Sequence, residues 1–87
     1  MIYRVNDGIV SQKIDKKLTV FSGEESVLHT FNDSAAVIFQ GLKMNWKEER
    51  IIKELIEKYD TNEEEAYRDI KELIEQLLKK KILIIMK

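Results

Sequence analysis

The chain has 87 residues, 44% of them apolar, and a formal net charge of −1 from 15 Lys and Arg against 16 Asp and Glu. That length gives room for one small domain over residues 1–87, burying roughly 60–65% of the surface its unfolded chain exposes, and the charge balance removes any whole-chain attraction to nucleic acid or an anionic membrane. With no cysteine, a disulfide, a zinc–thiolate site and an iron–sulfur cluster are all excluded.

The first eight residues carry Arg4, Asn6 and Asp7 and lack the apolar run of a secretory signal. No stretch approaches the ~20 apolar residues of a membrane span. A cytoplasmic protein with no membrane contact is expected. Next come three β-rich runs, Ile9 to Ile14, Leu18 to Ser22 and Val27 to Phe31, separated by the turn signals Asp15-Lys16-Lys17 and Ser22-Gly23-Glu24-Glu25. They predict a meander. Val10, Gln12 and Ile14 share one face of the first run, and Leu18 and Val20 oppose Thr19 and Phe21 in the second, so helices must cover at least one side.

From Asn32 the period changes. Ala35, Ile38, Phe39 and Leu42 fall at helical spacing, with Asn32 or Asp33 able to cap the first turn. A second helix is predicted after Asn45, capped by it with Glu48 three residues on, with Ile51, Ile52, Leu55, Ile56 and Tyr59 as its inner stripe and an end near Asp60. Thr61-Asn62-Glu63-Glu64 has capping-box spacing for a third helix, whose start carries Glu63, Glu64 and Glu65 and whose end carries Lys79, Lys80 and Lys81, each sign matching the helix dipole. Its apolar residues form two adjoining lines, Ala66, Ile70, Leu73 and Leu77 beside Tyr67, Ile74 and Leu78, a face wider than one core contact needs. Ile82 to Met86 predicts a short closing strand. The expected class is α+β: a three-stranded antiparallel meander, three helices and a C-terminal strand.

Catalytic chemistry has little to work with. His29 is the only histidine, and Gly8, Gly23 and Gly41 are too scattered for a phosphate loop. Three consecutive glutamates point in different directions around a helix and lack the spacing of a calcium loop, so no metal site and no enzyme is expected. Three helices beside a small sheet also suggest a winged helix-turn-helix, but residues 62–78 carry a net −4, and such a helix is repelled by DNA. What remains is the uncharged run Val27 to Phe31 at the meander's edge, whereas the first strand carries Lys13 and discourages edge pairing. Either Ile82 to Met86 or a second copy covers that edge, or an added peptide strand pairs with it beside the third helix.

The stretch "FNDSAAVIF" (residues 31–39) and the later run Ile51, Leu55, Tyr59, Asp60, Asp69, Leu73 and Leu77 resemble the PqqD-like family, the peptide-binding domains called RiPP recognition elements, over residues 9 to 84. Phe31 stands for the family's usual Leu, Phe39 for its Trp, and Lys81 where many members have Gly. The resemblance implies a winged-helix-like domain to which a precursor's leader peptide adds as a strand, against the third helix. It implies a non-catalytic carrier without cofactors, serving a separate enzyme such as a radical-SAM maturase or a lasso-peptide protease, as a monomer or weak homodimer. The backbone of Val27, Leu28, His29, Thr30 and Phe31 is expected to pair with the leader. Helical phase assigns the wall to Tyr67, Lys71, Ile74 and Leu78, with Lys71 as the partner of a leader carboxylate, and Asp69 is expected to fix the helix.

Overall fold

The computed structural model describes residues 2–15, 17–22 and 27–86. The elements run β1 (Ile2–Val5), β2 (Ile9–Ile14), β3 (Lys17–Ser22), β4 (Val27–Phe31), α1 (Asp33–Lys43), α2 (Glu48–Lys58), α3 (Glu63–Lys79) and β5 (Leu83–Met86). The meander, the three helices and the closing strand all form as the residue patterns require. Lys16 and the second expected turn, at Gly23, Glu24 and Glu25, lie outside the described residues.

Two antiparallel sheets result, β2-β3-β4 and the pair β1-β5. In the first, Val20 stands opposite Ser11 on β2 and His29 on β4, and Leu18 stands opposite Lys13 and Phe31. Cross-strand partners share a face, so the burial of Leu18 and Val20 decides which side the helices cover. The face holding Val10, Gln12 and Ile14 is the other one. Val10, Phe21 and Leu28 form a row across it, 62%, 41% and 63% exposed.

β1 is an element the residue pattern did not suggest. It is four residues long, and its partners are more than 75 positions away, with Val5 opposite Leu83 and Tyr3 opposite Ile85. Tyr3 and Val5 pack on the core. The connection back to the helices is made by Asn6, whose backbone N–H donates to the Ile82 carbonyl at 2.8 Å and whose Nδ2 donates to that of Lys81 at 2.9 Å.

The helix ends explain much of the chain's course. Asn32 caps α1, accepting from the Ala35 N–H at 2.9 Å. Asn45 does not start α2; it takes φ +59° as the left-handed residue that ends α1, while the α2 cap is Lys47, without a side-chain hydrogen bond. The reason is local. Trp46 N–H donates to Gly41 O at 2.8 Å and Asn45 N–H to Leu42 O at 3.3 Å, a Schellman closure in which asparagine is a favoured substitute for glycine. The α3 cap is also one residue later than its sequence spacing implies. Asn62 accepts from Glu65 N–H at 2.9 Å, and Thr61 Oγ1 donates to the Glu65 carboxylate at 3.2 Å.

α3 closes the same way as α1, with Ile82 N–H on Leu77 O at 2.9 Å and Lys81 N–H on Leu78 O at 3.1 Å. Lys81 occupies the left-handed position at φ +61°, where a β-carbon crowds the following carbonyl at a cost of about 1–2 kcal/mol. Lys81→Gly is therefore expected to raise stability by about 0.5–1 kcal/mol, the remainder being lost to the greater freedom of glycine in the unfolded chain. Urea denaturation would read this as a higher midpoint at unchanged slope.

Gly41 has a different role. An added β-carbon would lie 2.7 Å from Ile51 Cγ1 and 3.0 Å from Trp46 Cε3, and Ile51 is fully buried. Its absence lets α1 and α2 approach closely. Gly41→Ala gains about 1 kcal/mol of helix propensity but overpacks the crossing by about 1–3 kcal/mol. We expect a net destabilisation of about 1 kcal/mol, visible as a lower urea midpoint; a more stable variant would show that the crossing adjusts freely.

Candidate functional site

Every strand in the two sheets has one or two partners, and β4 has only β3. β5, the segment of this chain best suited to cover the β4 edge, is instead paired with β1 along Leu83–Met86. Among the described residues the outer edge of β4 is therefore unpaired, and its five residues carry no formal charge. The opposite edge, β2, is charged: Lys13 extends from it to Asp33 at 3.7 Å, which suits it to resist pairing.

Asp33 also fastens the far side of this corner. The Tyr59 hydroxyl, at the end of α2, is pushed up to about 12 by burial first and then by its hydrogen bond to, and the charge of, the Asp33 carboxylate. β2, the start of α1 and the end of α2 are thus tied at one carboxylate, close to the residue where β4 becomes helix.

His29 projects from β4 on the helix side and meets the end of α3, with Lys80 Nζ 3.4 Å from its Nδ1. An ammonium can only donate, so this contact is a hydrogen bond where Nδ1 is the acceptor. The ring's other nitrogen, Nε2, is buried without a hydrogen-bond partner among the described residues. Past the other end of β4, Asn32, Ser34 and Ala35 form one wall of a cleft of about 220 Å³, and Asp69, Glu72, Leu73 and Gln76 of α3 form the other. Lys80 thus meets β4 itself, while Asp69, Glu72, Leu73 and Gln76 of the same helix face the start of α1, just past the end of β4.

The residues expected as the wall from helical phase, Tyr67, Lys71, Ile74 and Leu78, occupy a different line of α3 from Asp69, Leu73, Gln76 and Lys80. Lys71 and Ile74 line a separate cleft with Tyr3, Trp46 and Glu48, and Lys71 Nζ is 3.5 Å from Glu48 Oε2 and 5.0 Å from the Tyr67 ring centroid. Burial disfavours the Lys71 charge, but Glu48, Tyr67 and Tyr3 together outweigh it and hold the ammonium above its ordinary value. Ile74 is 7% exposed and belongs to the core, Leu78 is half-buried and Tyr67 is exposed. The physical reason is the 100° step of the helix. The Tyr67–Lys71–Ile74–Leu78 line and the Asp69–Leu73–Gln76–Lys80 line are about 200° apart and flank the stripe of Ala66, Ile70 and Leu77 that packs inward. Apolar character singles out the first line. Only tertiary contacts, with the start of α1 and with His29, single out the second.

This arrangement, a helix-backed meander whose β4 edge is uncharged and unpaired among the described residues, defines a strand-edge scaffold. The family model of coenzyme PQQ synthesis protein D (PqqD) matches residues 18–83, and the chain belongs to that family. Two solved structures are similar over nearly the whole chain. One is described as TbiB1 in complex with the TbiA(beta) leader peptide, at TM-score 0.85 and 18% identity, covering 97% of this chain and 98% of that one. The other is a lasso peptide synthetase B1 complexed with the leader peptide, at TM-score 0.88 and 22% identity, covering 98% of this chain and 100% of that one. No curated protein sequence matches this one. Among the described residues no helix is long and apolar enough to cross a membrane, and no group of three His, Cys, Asp or Glu is placed to hold a metal ion.

Proposed function

We propose that this protein binds the leader segment of a ribosomally made precursor peptide and presents it, as a non-catalytic carrier in the cytoplasm, to a separate modifying enzyme such as a radical-SAM maturase or a lasso-peptide protease. The leader adds as a strand to the outer edge of β4, using the backbone of Val27 to Phe31, and its alternate side chains lie against α3. The observation that carries this reading is the bare, uncharged β4 edge, left open because β5 pairs with β1. An edge of this kind supplies backbone bonds for affinity while the neighbouring helix supplies side-chain selection. The leader-bound states of the two similar structures support it.

A DNA-binding role is disfavoured by the same helix. Glu63, Glu64, Glu65, Asp69, Glu72 and Glu75 are all exposed on α3, and phosphate repels a helix so charged. The deciding experiment is a titration of fluorescein-labelled leader peptides, taken from precursors encoded beside this protein's gene, followed by anisotropy, with a duplex DNA as comparison. Saturable binding of one leader at micromolar concentration or below, with none to DNA, is expected. Tight DNA binding, or no binding of any such leader, would sink the proposal.

A further inference from the structure

The path along the β4 edge runs between groups of opposite charge, from the cleft past Phe31, where α3 faces the start of α1, to His29 beside Lys80. At the end where β4 runs into α1, Asp69 and Glu72 are exposed on α3, and neither forms an ion pair among the described residues. At the other end stands Lys80, with its ammonium drawn to His29 and no carboxylate within ion-pair reach among the described residues. Leu73, almost wholly buried, lies between them and with Ala35 and Ile38 gives the cleft its apolar floor. The other lysine on the inner half of α3, Lys71, is already held by Glu48 on the far flank.

We infer that this polarity selects leaders by the order of their charges: a basic residue, then an apolar residue two positions later, then an acidic residue two positions after that. The inference rests on the strand-addition reading above. The spacing follows from the helix. Glu72 and Asp69 precede Lys80 by eight and eleven residues, or roughly 12–16 Å at 1.5 Å per residue, which an extended strand covers in about four to five residues. Side chains facing the helix alternate along a strand, so four is the even number that fits. The order follows from direction. Every strand pair among the described residues is antiparallel, and antiparallel pairing is the more stable form. An antiparallel ligand first passes the cleft beyond Phe31, where Asp69 and Glu72 stand with Asn32 and Ser34, and then reaches His29, beside Lys80. A reversed charge order sets carboxylate against carboxylate and ammonium against ammonium. His29 acts here as a positioning residue, fixing the Lys80 amino group over the strand with the remaining donors free for a ligand carboxylate.

The test is selection of an mRNA-displayed library of random dodecapeptides on the purified protein, followed by hydrogen exchange to identify the peptides that protect β4. Those peptides are expected to be enriched in the basic-x-apolar-x-acidic pattern. Exchanging the two charges of a selected peptide is expected to weaken its binding about tenfold or more, because each partly exposed pair contributes up to about fivefold and becomes a repulsion. Lys80→Glu, at an exposed position, should turn the preference at the last position from acidic to basic while leaving the circular dichroism spectrum unchanged. His29→Gln should reduce the preference at that position without reversing it. Peptides that protect β4 yet show no charge order, or the opposite one, overturn this inference and leave strand addition standing. If no selected peptide protects β4, strand addition itself falls and this inference with it.

Discussion

Leu77→Ala is expected to remove about 3–4 kcal/mol of stability, a large part of the whole for a domain this small. Leu77 is 0% exposed, and so is Ile82, whose N–H closes the end of α3 on the Leu77 carbonyl. Truncation therefore leaves a void beneath the turn that carries Lys80 and Lys81, in a place where neither backbone can move inward without breaking the Asn6 bonds to Lys81 and Ile82. Urea denaturation of the variant should show a much lower midpoint at a similar slope. Leu78→Ala, at the half-buried neighbour, should lose only about 1 kcal/mol. Equal losses at the two positions would mean that the closure of α3 does not depend on the packing beneath it.

The second large effect concerns exchange at the β4 edge. Strand pairing directs alternate amides to β3 and the rest outward, so the outward amides of Val27–Phe31 should exchange rapidly in the free protein. With a leader at 100 times its Kd, they should slow by about 100-fold. The amides bonded to β3 should be protected throughout, and the outer amides of β2, on the charged edge, should not respond. Uniform protection of all five amides before any leader is added would mean that the edge is already occupied, by a second copy or otherwise, and the proposed mode of binding would fail.

How far the residues foretold this architecture depended on how local each cause was. The meander and the three helices come from short-range patterns: alternation around Leu18 and Val20, helical spacing from Ala35 to Leu42, and turn residues between them. β1 depends on β5, at the other end of the chain, and four residues of Ile-Tyr-Arg-Val carry too little pattern to announce such a distant pairing. Asn45 satisfies the rules for starting a helix and for ending one equally well. The backbone closure around Gly41 and Leu42 decides between them, and the close approach of Ile51 and Trp46 to Gly41 is not written in spacing. The edge Val27–Phe31 was legible from its lack of charge, and the cleft flank was not. Asp69, Glu72, Gln76 and Lys80 look like ordinary solvated helix residues until the start of α1 and His29 are seen beside them, whereas the more conspicuous Lys71 and Ile74 share a cleft with Tyr3 and Glu48.

The β1–β5 pair sets Ile2 directly opposite Met86, so the two ends of the folded unit leave it side by side, about 5 Å apart across the strand pair. A unit with such an exit can be spliced whole into a surface loop of a larger chain, since the host need open only by the width of one strand spacing to receive it. The β4 edge belongs to the other sheet and would stay bare in such a graft. Host enzyme and guest would then share one polypeptide, and a captured peptide would be held at a high local concentration set by two short tethers in place of a diffusing partner.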